Sequence, residues 1–294
     1  MAANGISTLA TKELRQVAKL ELAAAKRAAD GNSRPYYDIT QLPTQYNDND
    51  IVDNPNTGGL VVGRPWVATA PTPDIVRSDL QLYLDPSEYS GSGTSWTDSS
   101  TNAYTVTLNG SPAYNTTYFT FDGTTEYFDT NQSLSSEEFS VGAWFRTSAA
   151  GIKMIISKET AAGWPWNYRI WMNGGQIVGD IAQSGASSRS IGSVLTNYNN
   201  GSWYYVMYIR DSSTQYLFVN GTQVSTAVGT FASGTISNSQ EVWFGKSAFI
   251  AGGSNPQGSY QYIGDLGECF VYNRALTSTE ILQNYNATKA HYGL

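Results

Sequence analysis

The sequence predicts an all-β protein in which two antiparallel sheets pack face to face as a sandwich, preceded by an N-terminal helix and an extended arm. Three observations indicate this fold. From about residue 76 onward, short segments of alternating apolar and polar residues follow one another, and an Asn-Gly turn joins two of them. Only 14% of the 294 residues are charged, whereas Tyr and Trp are frequent, at 20 and 8 residues. Because aromatic residues favour strands, the composition agrees with the pattern.

The strongest local signal is a hairpin in residues 216–224, where two alternating strands meet at Asn220-Gly221. A type I′ turn needs two consecutive residues with positive φ, which Asn and Gly adopt at little cost. The segment therefore predicts an antiparallel pair joined by a two-residue turn.

Further strands are predicted wherever apolar residues alternate between turn residues. These segments are 80–84, 118–121, 139–145, 154–156, 168–172, 203–209, 242–244 and 270–272. In 139–145, every second residue from Phe139 to Phe145 lies on one apolar face, while both faces of 203–209 carry large side chains. The second pattern predicts a central strand that is covered on both sides, and hence two packed layers.

A short helix is predicted within 273–285, after the last strand. Thr277 can cap its first turn, and Glu280 follows three residues later, which is the pattern of a capping box. We expect this helix to lie across an edge of the sandwich.

The first 75 residues differ in composition from the rest. Good helix formers fill the stretch from about Leu9 to Ala29, and Gly31 ends it. Prolines among Asn and Asp residues then predict an extended arm, and apolar residues along it favour binding to a protein surface over a free linker. The candidate anchoring residues are Leu14, Val17, Tyr36, Tyr37, Ile51, Val52, Leu60 and Trp66. We therefore divide the chain into an arm of residues 1–75 and a sandwich of residues 76–294.

Charge and composition exclude several classes of function. Residues 1–34 carry a net charge of +3, so the remaining 260 residues carry −10 out of a total of −7, which argues against nucleic acid as a partner. No run of about 20 apolar residues predicts membrane insertion. A single Cys269 and a single His291 exclude a disulfide framework and a Cys-rich zinc site, and argue against Ser-His or Cys-His catalysis.

The order of these elements resembles the laminin-G-like, concanavalin-A-like jelly-roll family over about residues 78–290. The resemblance rests on Gly264-Asp265, on the Tyr-Asn-Arg-Ala-Leu turn at 272–276, and on Glu280-Ile281 in the final helix. Phe-Asp-Gly at 121–123, the strand at 139–145 and Val-Asn-Gly at 219–221 match as well. It implies a jelly-roll topology for the two predicted sheets.

The arm resembles the opening segments of virion structural proteins from T4-like tailed phages of marine bacteria. Residues 38–43, 52–60 and 63–66 carry this resemblance. It implies a modular virion component, in which the arm attaches to the particle and the sandwich is displayed outward.

The resemblance also implies two chemical possibilities. Glycosidases of this fold place two carboxylates across the scissile bond, commonly from a Glu-x-Asp-x-(x)-Glu strand, and no such motif is present. Asp265 and Glu268 stand three residues apart and would point to opposite faces of a regular strand, unless a bulge intervenes. Calcium is the only cofactor expected, since the family often holds one ion at the sandwich rim with carboxylates and loop carbonyls. The candidate ligands are Asp85, Asp122 and Asp265, the last at the family's Gly-Asp position, with turn capping as the alternative reading of each.

Glycan binding requires an exposed aromatic surface with amide or carboxylate groups beside it. Trp164, Trp166 and Asn167 form such a loop, with Tyr168 expected to turn inward. These residues are candidate contacts for a sugar or a neighbouring protein, and burial of the two tryptophans against the sandwich is the alternative.

The leading hypothesis is a non-enzymatic structural or decoration protein on the exterior of a phage virion. It would bind other virion proteins through residues 1–75 and occur in multiple copies. The alternative is a carbohydrate-binding adhesin that acts in host-surface attachment, and a glycosidase is the weaker alternative.

Overall fold

The computed structural model describes residues 51–53, 60–62, 74–159, 167–182, 189–212, 214–228, 239–247 and 260–294. The chain divides into two units, residues 1–69 and 70–294. The helix predicted near residues 9–29 and the anchoring residues Leu14, Val17, Tyr36, Tyr37 and Trp66 lie outside the described residues. Within the described part of the chain, no helix has the length and apolar character that spanning a membrane requires.

In the first unit, the structure describes two short strands. Strand β1 (Ile51–Asp53) pairs antiparallel with strand β2 (Leu60–Val62), and Ile51 lies opposite Val62. Three of the predicted anchoring residues, Ile51, Val52 and Leu60, are therefore in paired strands, where the sequence predicted only an extended arm.

In the second unit, the structure describes the strands of the sandwich and one α-helix. The strands are β3 (Leu80–Leu84), β4 (Ser95–Thr97), β5 (Thr105–Asn109), β6 (Ala113–Tyr114), β7 (Phe119–Asp122), β8 (Tyr127–Asp129), β9 (Phe139–Arg146), β10 (Ile152–Lys158), β11 (Tyr168–Asn173), β12 (Gln176–Ile181), β13 (Arg189–Gly192), β14 (Trp203–Asp211), β15 (Thr214–Val219), β16 (Thr222–Val228), β17 (Trp243–Phe244) and β18 (Ile263–Tyr272). Helix α1 spans Ser278–Thr288, and short 3₁₀ turns follow β3 at Pro86–Glu88 and α1 at Lys289–Tyr292.

These strands form two antiparallel sheets, which confirms the predicted fold class. The first sheet has the order β13-β12-β11-β10-β17-β8-β5-β4. The second has the order β16-β15-β14-β9-β18-β7-β6, and β3 pairs with the remaining half of β18. The predicted Asn220-Gly221 turn joins β15 to β16, with φ of 51° and 75°, as a type I′ turn requires.

The main core lies between the sheets, and the predicted alternation decides which residues enter it. Phe139, Phe145 and the residues at the same face of β9 are buried there. In β14, Val206 and Tyr208 point into the same core, while Tyr205 points to the opposite side. The prediction that β14 is covered on both faces is thus confirmed.

The opposite side of the second sheet carries a separate apolar layer, built around Trp144, Tyr205 and Phe270. Helix α1 covers this layer through Ile281, which is fully buried, and through Tyr285. The capping box of Thr277 and Glu280 is present as predicted. The predicted location at a sandwich edge is wrong, because the large aromatic face of β9 and β14 would otherwise be exposed to water.

Candidate ligand-binding surface

Two of the three predicted calcium ligands serve as turn caps. Asp85 caps the 3₁₀ turn after β3, and its Oδ1 accepts hydrogen bonds from the backbone N of Ser87 at 2.9 Å and its hydroxyl at 2.7 Å. Asp122 accepts in the same way from the backbone and hydroxyl of Thr124, at 2.8 and 2.7 Å. The Thr124 donors lower the pKa of Asp122 below its usual range. Both carboxylates therefore match the turn-capping reading.

The third predicted ligand, Asp265, is held in an ion pair. Its Oδ2 lies 2.7 Å from Nε of Arg146, and its Oδ1 accepts from the hydroxyl of Thr120 at 2.6 Å. The guanidinium of Arg146 contacts two neighbouring aromatic rings, 5.1 Å from the ring centre of Tyr118 and 4.9 Å from that of Trp203. These cation–π contacts restrain the Arg146 side chain, and the ion pair in turn restrains Asp265.

These three carboxylates do not meet in one site. Among the described residues, no group of three or more His, Cys, Asp or Glu side chains is placed to hold a metal ion. Asp85 already accepts three hydrogen bonds within the chain, and Asp122 and Asp265 each accept two. The arrangement does not fit a calcium site that uses all three, and calcium held by one of them with loop carbonyls stays a prediction.

Asp265 and Glu268 are brought to the same side of the second sheet by a bulge. The register of β18 against β9 shifts between Leu266 and Cys269, so the regular alternation is interrupted. Glu268 is buried and accepts a hydrogen bond from the Tyr292 hydroxyl at 2.7 Å. The expectation of opposite faces is thus corrected, but each of the two carboxylates is bound to its own structural partner. They do not form a free acid–base pair.

Glu268 also binds His291, the single histidine of the chain. His291 lies in the C-terminal 3₁₀ turn, so this contact joins that turn to the second sheet. Nδ1 of His291 lies 2.8 Å from Oε1 of Glu268. This hydrogen bond raises the pKa of His291, while burial raises the pKa of Glu268. In both groups the folded state favours the protonated form.

We therefore expect the contribution of this pair to stability to fall as the pH rises. The His291 contribution is complete below the ordinary histidine pKa of 6.5 and is lost as the pH passes the raised pKa. In His291→Asn, the amide can still donate to Glu268 but does not titrate. Urea unfolding at several pH values between about 5.5 and 8.5 should show a smaller loss of stability with pH in the variant than in the wild type. Equal pH dependence in the two proteins would contradict this coupling.

The structure describes only part of the predicted glycan loop, and its function stays a prediction. Asn167 is 2% exposed, and its backbone N donates to the carbonyl of Lys158 at 2.9 Å, so it is not an exposed sugar contact. Asn167 is buried because its backbone continues the pairing of β10 with β11. Tyr168 turns inward as predicted, with its ring centre 4.7 Å from that of Phe139. Trp164 and Trp166 lie outside the described residues.

A charged network on the outer side of the first sheet was not predicted from the sequence. Arg169 on β11 binds Glu159 through Nη1 at 3.0 Å and Asp180 on β12 through Nη2. The indole of Trp171 donates to Asp180 at 2.9 Å, and the hydroxyl of Ser247 donates to Glu159 at 2.9 Å. Both carboxylates are buried and bound to Arg169 within the sandwich.

A second group on the first sheet is open to solvent. We call Tyr127, Asp129, Glu241, Trp243 and Lys246 the aromatic patch. All five side chains are partly exposed. The Tyr127 and Trp243 ring centres are 6.2 Å apart, and the Lys246 ammonium lies 3.8 and 4.2 Å from them. Burial and the carboxylate of Asp129 raise the pKa of Glu241.

The aromatic patch has the chemistry of a shallow carbohydrate site. Two aromatic rings offer surface for the apolar face of a sugar ring, and the carboxylates accept hydrogen bonds from hydroxyl groups. Glu241 is hydrogen-bonded to Asp129, which brings the two carboxyls closer than the spacing of about 5–5.5 Å or more that glycosidases use. This close carboxyl pair differs from the separated pair that glycosidases use. The sequence signal for the aromatic patch is Trp243, which faces away from its core neighbours Val242 and Phe244.

Comparison with solved structures places this sandwich near the receptor-binding domains of botulinum neurotoxins. The type G domain matches with a TM-score of 0.53 and 17% identity over 71% of this chain and 51% of that one. The type DC domain solved with SialylT matches with a TM-score of 0.54 and 15% identity over 72% and 52%. A type C toxin whose cell entry depends on two ganglioside molecules matches with a TM-score of 0.54 and 16% identity over 72% and 52%.

At these identities, the likeness shows a shared fold alone. The chain spans about half the length of the toxin domains that it matches. No curated protein sequence matches it. A family model described as the concanavalin A-like lectin/glucanases superfamily (Laminin_G_3) matches residues 121–282, which is more than half of the chain. With the two-sheet sandwich already described, this match identifies the chain as a member of the laminin-G-like, concanavalin-A-like lectin/glucanase superfamily.

Proposed function

We propose that the chain is a non-enzymatic structural protein of a phage particle, which residues 1–75 anchor to the virion and whose sandwich faces outward. The contrast between the two parts of the chain carries this proposal. The arm has apolar residues and the segments that resemble phage virion proteins, while Asp265 and Glu268, the pair considered for catalysis, are both bound internally. An attachment segment joined to a display domain accounts for both parts.

Retention on particles tests the anchoring. Full-length protein and a variant with Tyr36→Ser and Tyr37→Ser are mixed with particles that lack the protein and are then sedimented. Ile263→Ser, which removes an apolar side chain that is 38% exposed on the sandwich, is the matched control. We expect saturable retention of the wild type and the control, and at least about tenfold weaker retention of the arm variant, because apolar burial drives such contacts. Equal retention of all three proteins would refute anchoring by the arm.

Carbohydrate binding at a host surface is the second candidate function, and the aromatic patch favours it. The toxin domains that share the fold include one solved with SialylT and one from a toxin whose cell entry depends on two ganglioside molecules. Several copies on one particle would turn weak single-site binding into firm attachment through avidity.

A glycan array with multivalent display of the full-length protein tests this function. Trp243→Ala and Tyr127→Ala should abolish the signal, because they remove the stacking surface. Tyr216→Ala is the control, since Tyr216 is a half-buried tyrosine of β15 outside the patch. A blank array for the wild type, with and without calcium, would reject carbohydrate binding. Turnover of a polysaccharide that is lost on mutating Asp265 or Glu268 would overturn the non-enzymatic assignment.

A further inference from the structure

One end of the sandwich is formed by three neighbouring loops that contain no charged residue. The loops are 147–151 after β9, 174–175 between β11 and β12, and 193–202 between β13 and β14. We call them the end loops. The backbone N of Tyr198 donates to the Gly175 carbonyl at 3.0 Å, and that of Gly201 donates to the Thr147 carbonyl at 2.9 Å. The three loops are therefore joined to one another.

Two adjacent aliphatic side chains protrude from the end loops. Val194 is 85% exposed and Leu195 is 58% exposed, which are the highest values for large apolar side chains among the described residues. Thr196 and Asn197, which follow them, are exposed as well. Single exposed apolar residues are ordinary on a protein surface, whereas adjacent ones form a small patch that suits contact with another apolar surface.

Hydrogen bonds hold the backbone beside this apolar pair. The buried Ser193 hydroxyl accepts from the Ile177 backbone N at 3.1 Å and donates to the Leu195 carbonyl at 2.7 Å. The Gln176 side-chain amide donates to the Ser193 carbonyl at 2.6 Å. Strand β12 thus braces the loop, and Val194 and Leu195 are presented in a defined position. Such preorganisation lowers the entropic cost of a contact.

The end loops lie at the far end of the second sheet from the point where the chain enters it. Strand β9 ends at Arg146, just before 147–151, while the neighbouring β18 runs the other way and ends at Tyr272. Strand β3 starts at Leu80, opposite Tyr272. Because β9 has 8 residues, the two ends of the sheet are more than about 20 Å apart.

We propose that the end loops make a peripheral contact with a lipid surface, in which Val194 and Leu195 enter the boundary between headgroups and acyl chains. The absence of charge favours this partner, because a charged group is costly to move toward hydrocarbon. The exposed Thr196 and Asn197 side chains can form hydrogen bonds with lipid headgroups. A second copy of the chain is a poorer fit, since each partner in a stable protein interface contributes about 20–30 residues.

The lipid surface that fits is electrically neutral. The total charge of −7 and the +3 of residues 1–34 leave −10 on the rest of the chain, so an anionic bilayer would repel the sandwich. Two aliphatic side chains give a weak contact, which many copies would strengthen through avidity. The outward direction of the end loops rests on the virion anchoring proposed above, because a particle attached through residues 1–75 would then present the far end of the sheet.

Vesicle capture by immobilised full-length protein tests the lipid contact. The protein is attached to beads through an N-terminal tag, at high density, and is mixed with fluorescent vesicles of phosphatidylcholine and phosphatidylethanolamine. The test variant combines Val194→Ser with Leu195→Ser. The matched control combines Leu282→Ser with Leu294→Ser, which removes two aliphatic side chains that are 45% and 52% exposed elsewhere. Thr196→Asp keeps the apolar pair and places a charge beside it. Melting curves that match the wild type identify folded variants.

We expect the wild type and the matched control to capture vesicles equally, and both the test variant and Thr196→Asp to capture at least about tenfold fewer. Capture by the wild type should persist in about 0.5 M sodium chloride, since apolar insertion is not screened, and should fall when about 30% of the lipid is anionic phosphatidylglycerol. The beads replace the particle, so these results do not depend on the anchoring, which the retention experiment tests.

Three results would overturn the lipid contact. The first is absence of capture by the wild type, and the second is equal capture by the wild type and the test variant. The third is capture that requires anionic lipid or is lost in salt, which would indicate electrostatic adsorption. Sedimentation equilibrium of the same proteins examines the competing partner. Dimerisation of the wild type that the Val194→Ser and Leu195→Ser pair abolishes would assign the patch to a second copy and refute the proposal.

Discussion

Arg169→Met is expected to lower the free energy of unfolding by about 3–5 kcal/mol, because it breaks a buried charge network from its centre. The Arg169 side chain is 13% exposed, and its partners Glu159 and Asp180 are 0% and 2% exposed. Methionine fills a similar volume but leaves both carboxylates without the guanidinium. Urea unfolding at neutral pH measures the loss.

Arg77→Met is the matched control. Arg77 forms an ion pair with Asp74 at 3.3 Å, and the two side chains are 51% and 74% exposed. An exposed pair contributes about 0–1 kcal/mol, so the same substitution should have little effect there. A loss of less than about 1 kcal/mol in Arg169→Met would show that the buried network is not a main support of the first sheet.

Trp144→Ala is the second substitution with a large expected effect, a loss of about 3–5 kcal/mol. Trp144 is fully buried in β9 between the second sheet and the C-terminal segment. Its ring centre lies 4.4 Å from that of Tyr292 and 5.7 Å from that of Tyr285, and its Nε1 donates to the Thr288 hydroxyl at 2.7 Å. Removing it leaves a cavity beneath α1.

The position of the damage distinguishes this role from general loss of core packing. Hydrogen exchange of residues 278–292 should accelerate in Trp144→Ala more than exchange in β10 and β11, because only the former residues pack on Trp144. Trp144→Phe keeps an aromatic ring and loses the hydrogen bond, so its loss should be nearer 1–2 kcal/mol. Uniform acceleration of exchange across both sheets would contradict a local role for Trp144.

Features that depend on local chemistry alone were predicted correctly from the sequence. The Asn220-Gly221 turn, the capping box at Thr277 and the alternation of β9 and β14 were all predicted and are all present. In β18, the apolar alternation predicted only 270–272, because Gly264 and Gly267 break it and a bulge restores it. The earlier part of the strand, with Asp265 and Glu268, was expected from the resemblance at Gly264-Asp265 and is present.

The surroundings of the candidate site residues could not be predicted, because they depend on which strands pair. Local sequence patterns do not show strand pairing. Asp265 was identified as a functional carboxylate, but its role follows from Arg146 on the adjacent strand. The aromatic patch forms because β17 pairs with β8, which places Trp243 opposite Asp129. These residues are far apart in the sequence, and no spacing rule connects them.

The first and last strands of the sandwich are hydrogen-bonded neighbours, with Leu80 opposite Tyr272 and Leu84 opposite Cys269. The chain therefore enters the second sheet beside the point where it leaves it. A domain with adjoining ends can be transferred between host proteins as a cassette, since a short opening in a surface loop accommodates both connections. Exchange of the segment before β3 for a different sequence would then join the same sandwich to a new N-terminal segment, with neither sheet changed.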